Sequence, residues 1–235
     1  MKQRAWLPYV APMALYMVFL QAQNSWPRAL VWIYPIKTVV VGCALWYFRR
    51  AYDELRGRPV SGGRLAVAVG LLVIVIWIAL DPFYPKLTEL IWRGERLLHH
   101  LFHAPVPPPP GPPADPTVMQ PGGLRWMFLA FRVAGACLVV PVMEELFWRG
   151  CAIRWLVNED FKQVPLGTFT WMSFGVTVLF FGLEHDQWLA GLIGGALYNW
   201  LYYRTKNLWA CVVAHAVSNA ALAGWVLATG DWKFW

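Results

Sequence analysis

Val139-Val140-Pro141-Val142-Met143-Glu144-Glu145-Leu146-Phe147-Trp148-Arg149 sets two adjacent carboxylates and an arginine inside an otherwise apolar run. Carboxylates in hydrocarbon need a partner or a role, because a charge near the bilayer centre costs about 2.5–3.5 kcal/mol on insertion scales. The run decides the fold because the chain repeats its apolar character. Residues 7–20, 30–48, 65–80, 126–143, 169–183, 188–203 and 208–228 form blocks, each roughly long enough to cross about 30 Å of hydrocarbon as a helix. The expectation is an all-α polytopic membrane protein with about seven to eight transmembrane helices plus an interfacial amphipathic helix.

Composition agrees: 58% of residues are hydrophobic and 14% charged, and many of the 16 tryptophans stand near block ends, as in an interfacial aromatic belt. The net charge of +7 does not point to nucleic acid, because the basic residues lie in short connections and form no aromatic-interleaved patch. Lys2 and Arg4, then Arg49, Arg50, Arg56, Arg58 and Arg64, then Arg154 and Lys162, then Arg204 and Lys206 fall on alternate connections. The positive-inside rule puts these in the cytoplasm, with the N-terminus inside and, for seven spans, the C-terminus outside. Residues 7–20 read as a first anchor, since no small-residue cleavage site follows. Cys43, Cys137, Cys151 and Cys211 lack metal-type spacing and read as buried apolar filler.

Residues 1–235 form one membrane domain in this reading. A three-helix half (1–80) is followed by an interfacial helix and proline-rich connector (81–123), then a four-helix core (124–235). Leu87, Leu90, Ile91, Leu98, Leu101 and Phe102 recur at helical spacing opposite Glu89, Arg93, Arg96 and His100, while Pro105 to Pro116 make a stiff link. His99, His100 and His103 belong to the solvated face of that helix.

Chemistry concentrates in the C-terminal half. On a helix, Glu145 and Arg149 stand four apart in the favourable order for an ion pair, whereas Glu144 points about 100° away. Glu145 is then Arg149's partner and Glu144 is suited to a general base. Phe181 and His185 share one helical face, as do His215 and Asn219. A carboxylate to activate water, with imidazole and amide donors for an oxyanion, is a sufficient set for amide hydrolysis.

These clusters resemble the CPBP family of intramembrane proteases, which includes CAAX prenyl endopeptidases and bacteriocin-processing or self-immunity proteins. The matching motifs, in order, are Glu144-Glu145-x-x-x-Arg149, Phe181-x-x-x-His185 and His215-x-x-x-Asn219. The resemblance covers roughly residues 126–228. It implies a hydrolase in which Glu144 activates water, His185 assists, and His215 with Asn219 forms the oxyanion hole, with Glu145, Arg149 and Phe181 supporting. It implies no metal or other cofactor, although two histidines and a glutamate are also a zinc set. A zinc-dependent protease, or a non-proteolytic immunity or scaffold protein of the same fold, stands as the alternative. The N-terminal half matches no family motif; with the small size it is similar to the subgroup that accompanies exosortase protein-sorting systems. That likeness implies a multi-pass protein of a bacterial inner membrane, acting on a membrane-anchored protein or peptide.

Depth poses a condition. Glu144 lies about 18 residues from the outer end of its span, whereas His185 closes its span on the outer side. They meet only if the turn after His185 is sunk into the membrane or the span of Glu144 starts later than Trp126. Gly191 and Gly195 would allow the close packing that a sunken turn needs. Lys37 and Arg132 are expected to snorkel to the outer surface or to pair with Glu184 or Asp186.

Overall fold

The computed structural model describes residues 5–56, 61–103, 105–106, 108–109, 111 and 122–234; Lys2, Arg4, Arg58 and most of the proline link lie outside them. Every apolar block folds as helix: α1 Leu7–Ser25, α2 Leu30–Phe48, α3 Gly63–Leu80, α4 Leu87–Leu101, α5 Gly123–Trp155, α6 Trp171–Leu183, α7 Trp188–Thr205 and α8 Leu208–Thr229. No strand occurs among the described residues. Local chemistry sets several ends. Thr170 caps α6 by accepting from Ser173 N, Asn207 caps α8 by accepting from Ala210 N, and Gly230 at φ 72° closes α8.

Four helical segments are long and apolar enough to cross a membrane: Pro27–Ala51, Gly63–Leu101, Gly123–Trp155 and Leu208–Thr229. The chain is a polytopic all-α membrane protein, and the remaining helices are shorter or less apolar than these four for readable reasons. Helix α6 has 13 residues and covers about 20 Å, α1 closes on Gln21, Gln23, Asn24 and Ser25, and α7 carries Asn199 and Arg204 among its apolar residues.

The main core joins α3 to the C-terminal helices. Ala66, Val69 and Val73 pack against Phe181, Tyr198, Leu201, Tyr202, Cys211 and Ala214. A methyl group on Gly70 would stand 2.4 Å from Ala214 O, so the backbones of α3 and α8 approach as closely as glycine permits. Met13, Val41 and Met143 join α1, α2 and α5. Cys151 and Cys211 are buried, Cys137 is half-buried, and Cys43 is exposed, so the expected burial fails for Cys43, which faces outward from α2.

The helix ends separate into an end where Arg49, Arg50, Arg154, Lys162, Arg204 and Lys206 gather, the more basic end, and an opposite end that carries Lys86, Arg93, Arg96 and Lys233. At the basic end Arg154 is buried against Glu54 and donates to Val164 O and Gly150 O, both at 2.9 Å, while Tyr9 Oη donates to Glu54 Oε2 at 2.6 Å. Trp209 Nε1 adds a bond to Leu55 O at 2.9 Å. At the opposite end Asp81 binds Lys86 and Lys233, and Asp186 binds α4, accepting from Thr88 N at 2.9 Å and Thr88 Oγ1 at 2.8 Å. Helix α4 leaves Leu90, Ile91, Leu97, Leu98, Leu101 and Phe102 exposed, the apolar stripe of an interfacial helix.

Breaking the Glu54–Arg154 pair from one side leaves a buried charge, which typically costs about 3–5 kcal/mol. Arg154→Met should therefore lower the thermal midpoint in detergent markedly, and adding Glu54→Gln should restore part of the loss.

Candidate active site

Helix α5 carries the two glutamates on an irregular backbone. Residues Gly135–Val139 and Leu146–Ala152 are wound as π-helix, with the α-helical stretch Val140–Glu145 between them. Pro141 accounts for the first widening, because it has no N–H and its ring crowds the carbonyl four residues back, at Cys137. The neighbouring Ala136 carbonyl accepts from Asn219 Nδ2 at 2.8 Å, which ties α8 to the widened turn.

The glutamates take different partners. Glu145 is fully buried; its Oε1 accepts from Arg149 Nη1 at 3.1 Å and lies 3.0 Å from His215 Nδ1. Arg149, 1% exposed, also donates to Asn199 Oδ1 at 2.9 Å and Gly195 O at 3.1 Å. Its guanidinium carbon lies 4.7 Å from the Phe181 ring centre. Asn199 in turn donates to Thr177 Oγ1 at 2.9 Å. Glu144 is also buried, but its Oε2 has no hydrogen-bond partner among the described residues, and the nearest imidazole nitrogen, His215 Nε2, is 3.9 Å away.

Both histidines have one nitrogen engaged. His185 Nδ1 lies 2.7 Å from Phe181 O; a carbonyl only accepts, so Nδ1 carries the proton and Nε2 is left for the cavity. His215 stacks on Tyr198 with ring centres 5.2 Å apart, and Tyr198 shares a short hydrogen bond with Ser218. Trp77 of α3 meets His185 edge-on at 5.2 Å, so the N-terminal half supplies one wall of the site.

Glu144, His185, His215 and Asn219 all line one cavity of about 250 Å³. Its lining runs on to Gln23, Gln187 and Phe234, at the end opposite the basic residues. Glu144 and His185 do meet, with ligand atoms within 4.8 Å of one another. Helix α5 starts at Gly123, earlier than expected, and α6 ends at Leu183, after 13 residues. Along their helices Glu144 lies about 16 Å from Trp155 and His185 about 21 Å from Trp171, both measured from the basic end. Close packing holds the turn: a methyl on Gly191 would stand 3.0 Å from Gly182 Cα, and one on Gly195 would stand 3.0 Å from Phe181 Cδ1.

Three pairings differ from expectation. Lys37 pairs with neither Glu184 nor Asp186 and does not reach the surface; it is 2% exposed and donates to Gln23 Oε1 at 2.8 Å. Glu184 accepts from Trp148 Nε1 at 3.0 Å, and Asp186 serves Thr88. Glu184 also brings a ligand atom within 4.8 Å of atoms of Glu144 and His185, a different trio from the expected two histidines and one glutamate. Asn199, Thr177, Tyr198 and Ser218 were not singled out from sequence. Asn199 had a signal, as the one amide within the largely apolar α7; the hydroxyl groups had none.

Residues 125–221 match the family model described as type II CAAX prenyl endopeptidase Rce1-like, which supports membership of the CPBP family. No curated protein and no solved structure gives a match. The matched segment takes in the Glu144, His185, His215 and Asn219 positions.

Gly191→Ala must push the backbones of α6 and α7 apart, and overpacking of this kind costs about 1–3 kcal/mol. It should lower the thermal midpoint in detergent. Gly175→Ala, on α6 with nothing within 4 Å of the added methyl, should not lower it.

Proposed function

Starting from a CPBP-family domain over residues 125–221, we propose that the chain is a glutamate-type intramembrane endopeptidase that cuts a peptide bond near the membrane anchor or terminus of a substrate protein. The observation that carries this reading is Glu144, a buried carboxylate whose Oε2 lacks a hydrogen-bond partner among the described residues and which lines a cavity shared with two imidazoles and an amide. Glu145 also leaves its Oε2 without a partner, but its Oε1 is held by Arg149 and His215, whereas no hydrogen bond to either oxygen of Glu144 occurs among the described residues.

In the proposed reaction Glu144 takes a proton from water as the water oxygen bonds to the scissile carbonyl carbon. His185 Nε2, with Nδ1–H held by Phe181 O, accepts from the same water and orients it. The carbonyl oxygen becomes an oxyanion and receives hydrogen bonds from His215 Nε2–H and from the Asn219 N–H not used by Ala136. Donation from Nε2 while Nδ1–H faces Glu145 uses the doubly protonated ring of His215. The carbon–nitrogen bond then breaks, and the proton on Glu144 passes to the leaving amine. Arg149 holds Glu145, and Glu145 holds His215, so the pair positions the oxyanion donor without touching substrate.

The gathering of Arg49, Arg50, Arg154, Lys162, Arg204 and Lys206 at the connections of one end supports a cytoplasmic N-terminus, and a bacterial inner membrane is proposed on the sequence resemblance. The cavity then faces the outer side. An exosortase-type sorting partner rests on the sequence resemblance of the N-terminal half.

A zinc-dependent reading has one observation in its favour, the approach of Glu144, Glu184 and His185 ligand atoms to within 4.8 Å. Against it, Glu184 already accepts from Trp148, and His215 is turned toward Glu145 instead of the trio. The metal-free reading is the one proposed.

Glu144→Gln removes the base while keeping shape and should reduce cleavage of a membrane-anchored reporter by about a hundredfold or more with the thermal midpoint retained; wild-type cleavage in that variant ends the reading. Prolonged dialysis against a strong chelator should leave activity intact, with no stoichiometric zinc by elemental analysis. Loss of activity restored by zinc would replace the glutamate-type reading with the metal one.

A further inference from the structure

Asp186 stands between His185 and Gln187, two residues that line the cavity, yet its own contacts run to α4, a helix the proposed hydrolysis does not use. Its backbone carbonyl accepts from Leu87 N at 2.9 Å, and its Oδ1 accepts from Thr88 N at 2.9 Å and from Thr88 Oγ1 at 2.8 Å. The first amides of a helix have no intrahelical partner, and Lys86, at the N-cap of α4, supplies none from its side chain. Asp186 caps α4 in its place. The flanking residues repeat the attachment: Trp188 Nε1 donates to Pro85 O at 3.1 Å, Ala190 N donates to Tyr84 Oη at 3.4 Å, and the Tyr84 and Trp188 rings meet edge-on with centres 5.8 Å apart. The turn that carries His185 is thus stitched to the start of α4. Along its length α4 buries no residue, and its apolar stripe from Leu90 to Phe102 is 38–78% exposed opposite Glu89, Arg93 and Arg96. Residues 81–86 join α4 to the end of the membrane-spanning α3, so α4 starts at the membrane surface, where lipid covers an apolar stripe of this kind.

We propose that α4 is a surface anchor for the catalytic turn: lipid at the headgroup boundary covers its apolar stripe, and Asp186, as a positioning residue, passes the depth of α4 on to His185. The inference rests on the peptidase reading for what His185 does, while the coupling of lipid, α4 and turn needs no hydrolysis. An amphipathic helix settles about 5–10 Å into the boundary between headgroups and acyl chains. That depth is set by the bilayer and not by the protein core. With Leu87 and Thr88 held there, Asp186 cannot shift along the membrane normal without giving up its hydrogen bonds, and His185 is its neighbour. Placement matters at this residue, because a catalytic group displaced by about 1 Å can cost a hundredfold in rate.

The test follows amide hydrogen exchange by mass spectrometry in the full chain, held in nanodiscs of phosphatidylcholine and phosphatidylglycerol, beside cleavage of a membrane-anchored reporter. Ile91→Glu combined with Leu98→Glu takes the stripe out of lipid without touching the cavity. Exchange should rise in α4 and with it in residues 183–190, and kcat should fall about tenfold with KM unchanged. Asp186→Ala should speed exchange of residues 183–190 about fivefold, as for the loss of one helix cap, and the double substitution should then have no further effect on that turn. Asp186→Asn keeps an acceptor for Thr88 and should retain most of the protection and of kcat. Exchange of residues 183–190 that stays at the wild-type rate while α4 is released overturns the proposal, as does a double substitution that still loosens the turn in Asp186→Ala. A stripe covered by a second copy also overturns it, and shows as a cross-linked dimer that the double substitution abolishes. The two readings fail separately: a turn coupled to α4 in a chain that never cuts removes the peptidase reading and leaves this one standing, and cleavage with an uncoupled turn does the reverse.

Discussion

The Glu145–Arg149 ion pair is the constraint on which the rest of the site depends. Both partners are essentially fully buried, and Arg149 spends its other donors on Asn199 and on the Gly195 carbonyl of α7, while Glu145 reaches across to His215 of α8. One pair thus fixes three helices in rotation as well as in distance. An isolated pair of this kind seldom stabilises a fold by much, because desolvation offsets the attraction. Its value here is register: if α7 slides or turns by one residue, the carbonyl and the amide leave the guanidinium together. Glu144, one residue away on the same helix and turned about 100° from Glu145, is thereby presented to the cavity without its own partner.

Much of this was legible in the sequence because it is written in short-range spacing. The apolar blocks, the amphipathic pattern of α4, and the pairing of Glu145 with Arg149 all follow from helical periodicity, and each appears where that periodicity puts it. The three motifs could be recognised one by one, but their meeting could not, since depth depends on where helices stop. Helix α6 reads as a span by composition and folds as one that ends early. The π-helical turns around Val140–Glu145 were also out of reach, although Pro141 marks the first of them. Pairings between distant helices were missed for the same reason. Lys37 was assigned to the surface or to Glu184, yet it finds Gln23 at the far end of α1, and nothing local announces that partner.

The N-terminal helices are more than a frame for the matched segment. Helix α3 lies between α7 and α8 with its backbone against Ala214, one residue before His215, and Trp77 of the same helix abuts His185. Helix α1 brings Tyr16 and Gln23 to the cavity and α2 brings Tyr34 and Lys37. Residues outside the family match therefore shape a large part of what a substrate would meet, which is where a shared hydrolytic arrangement would acquire its own selectivity.

The shortness of α6 has a consequence for the surrounding lipid. Trp171, Met172, Leu179, Phe180 and Leu183 face outward from a helix only about 20 Å long, against a hydrocarbon layer of about 30 Å. Hydrophobic mismatch of that size is relieved by drawing the leaflets together beside the short helix. A bilayer that thinned there would be thinnest beside the turn that carries His185, a residue that lines the cavity.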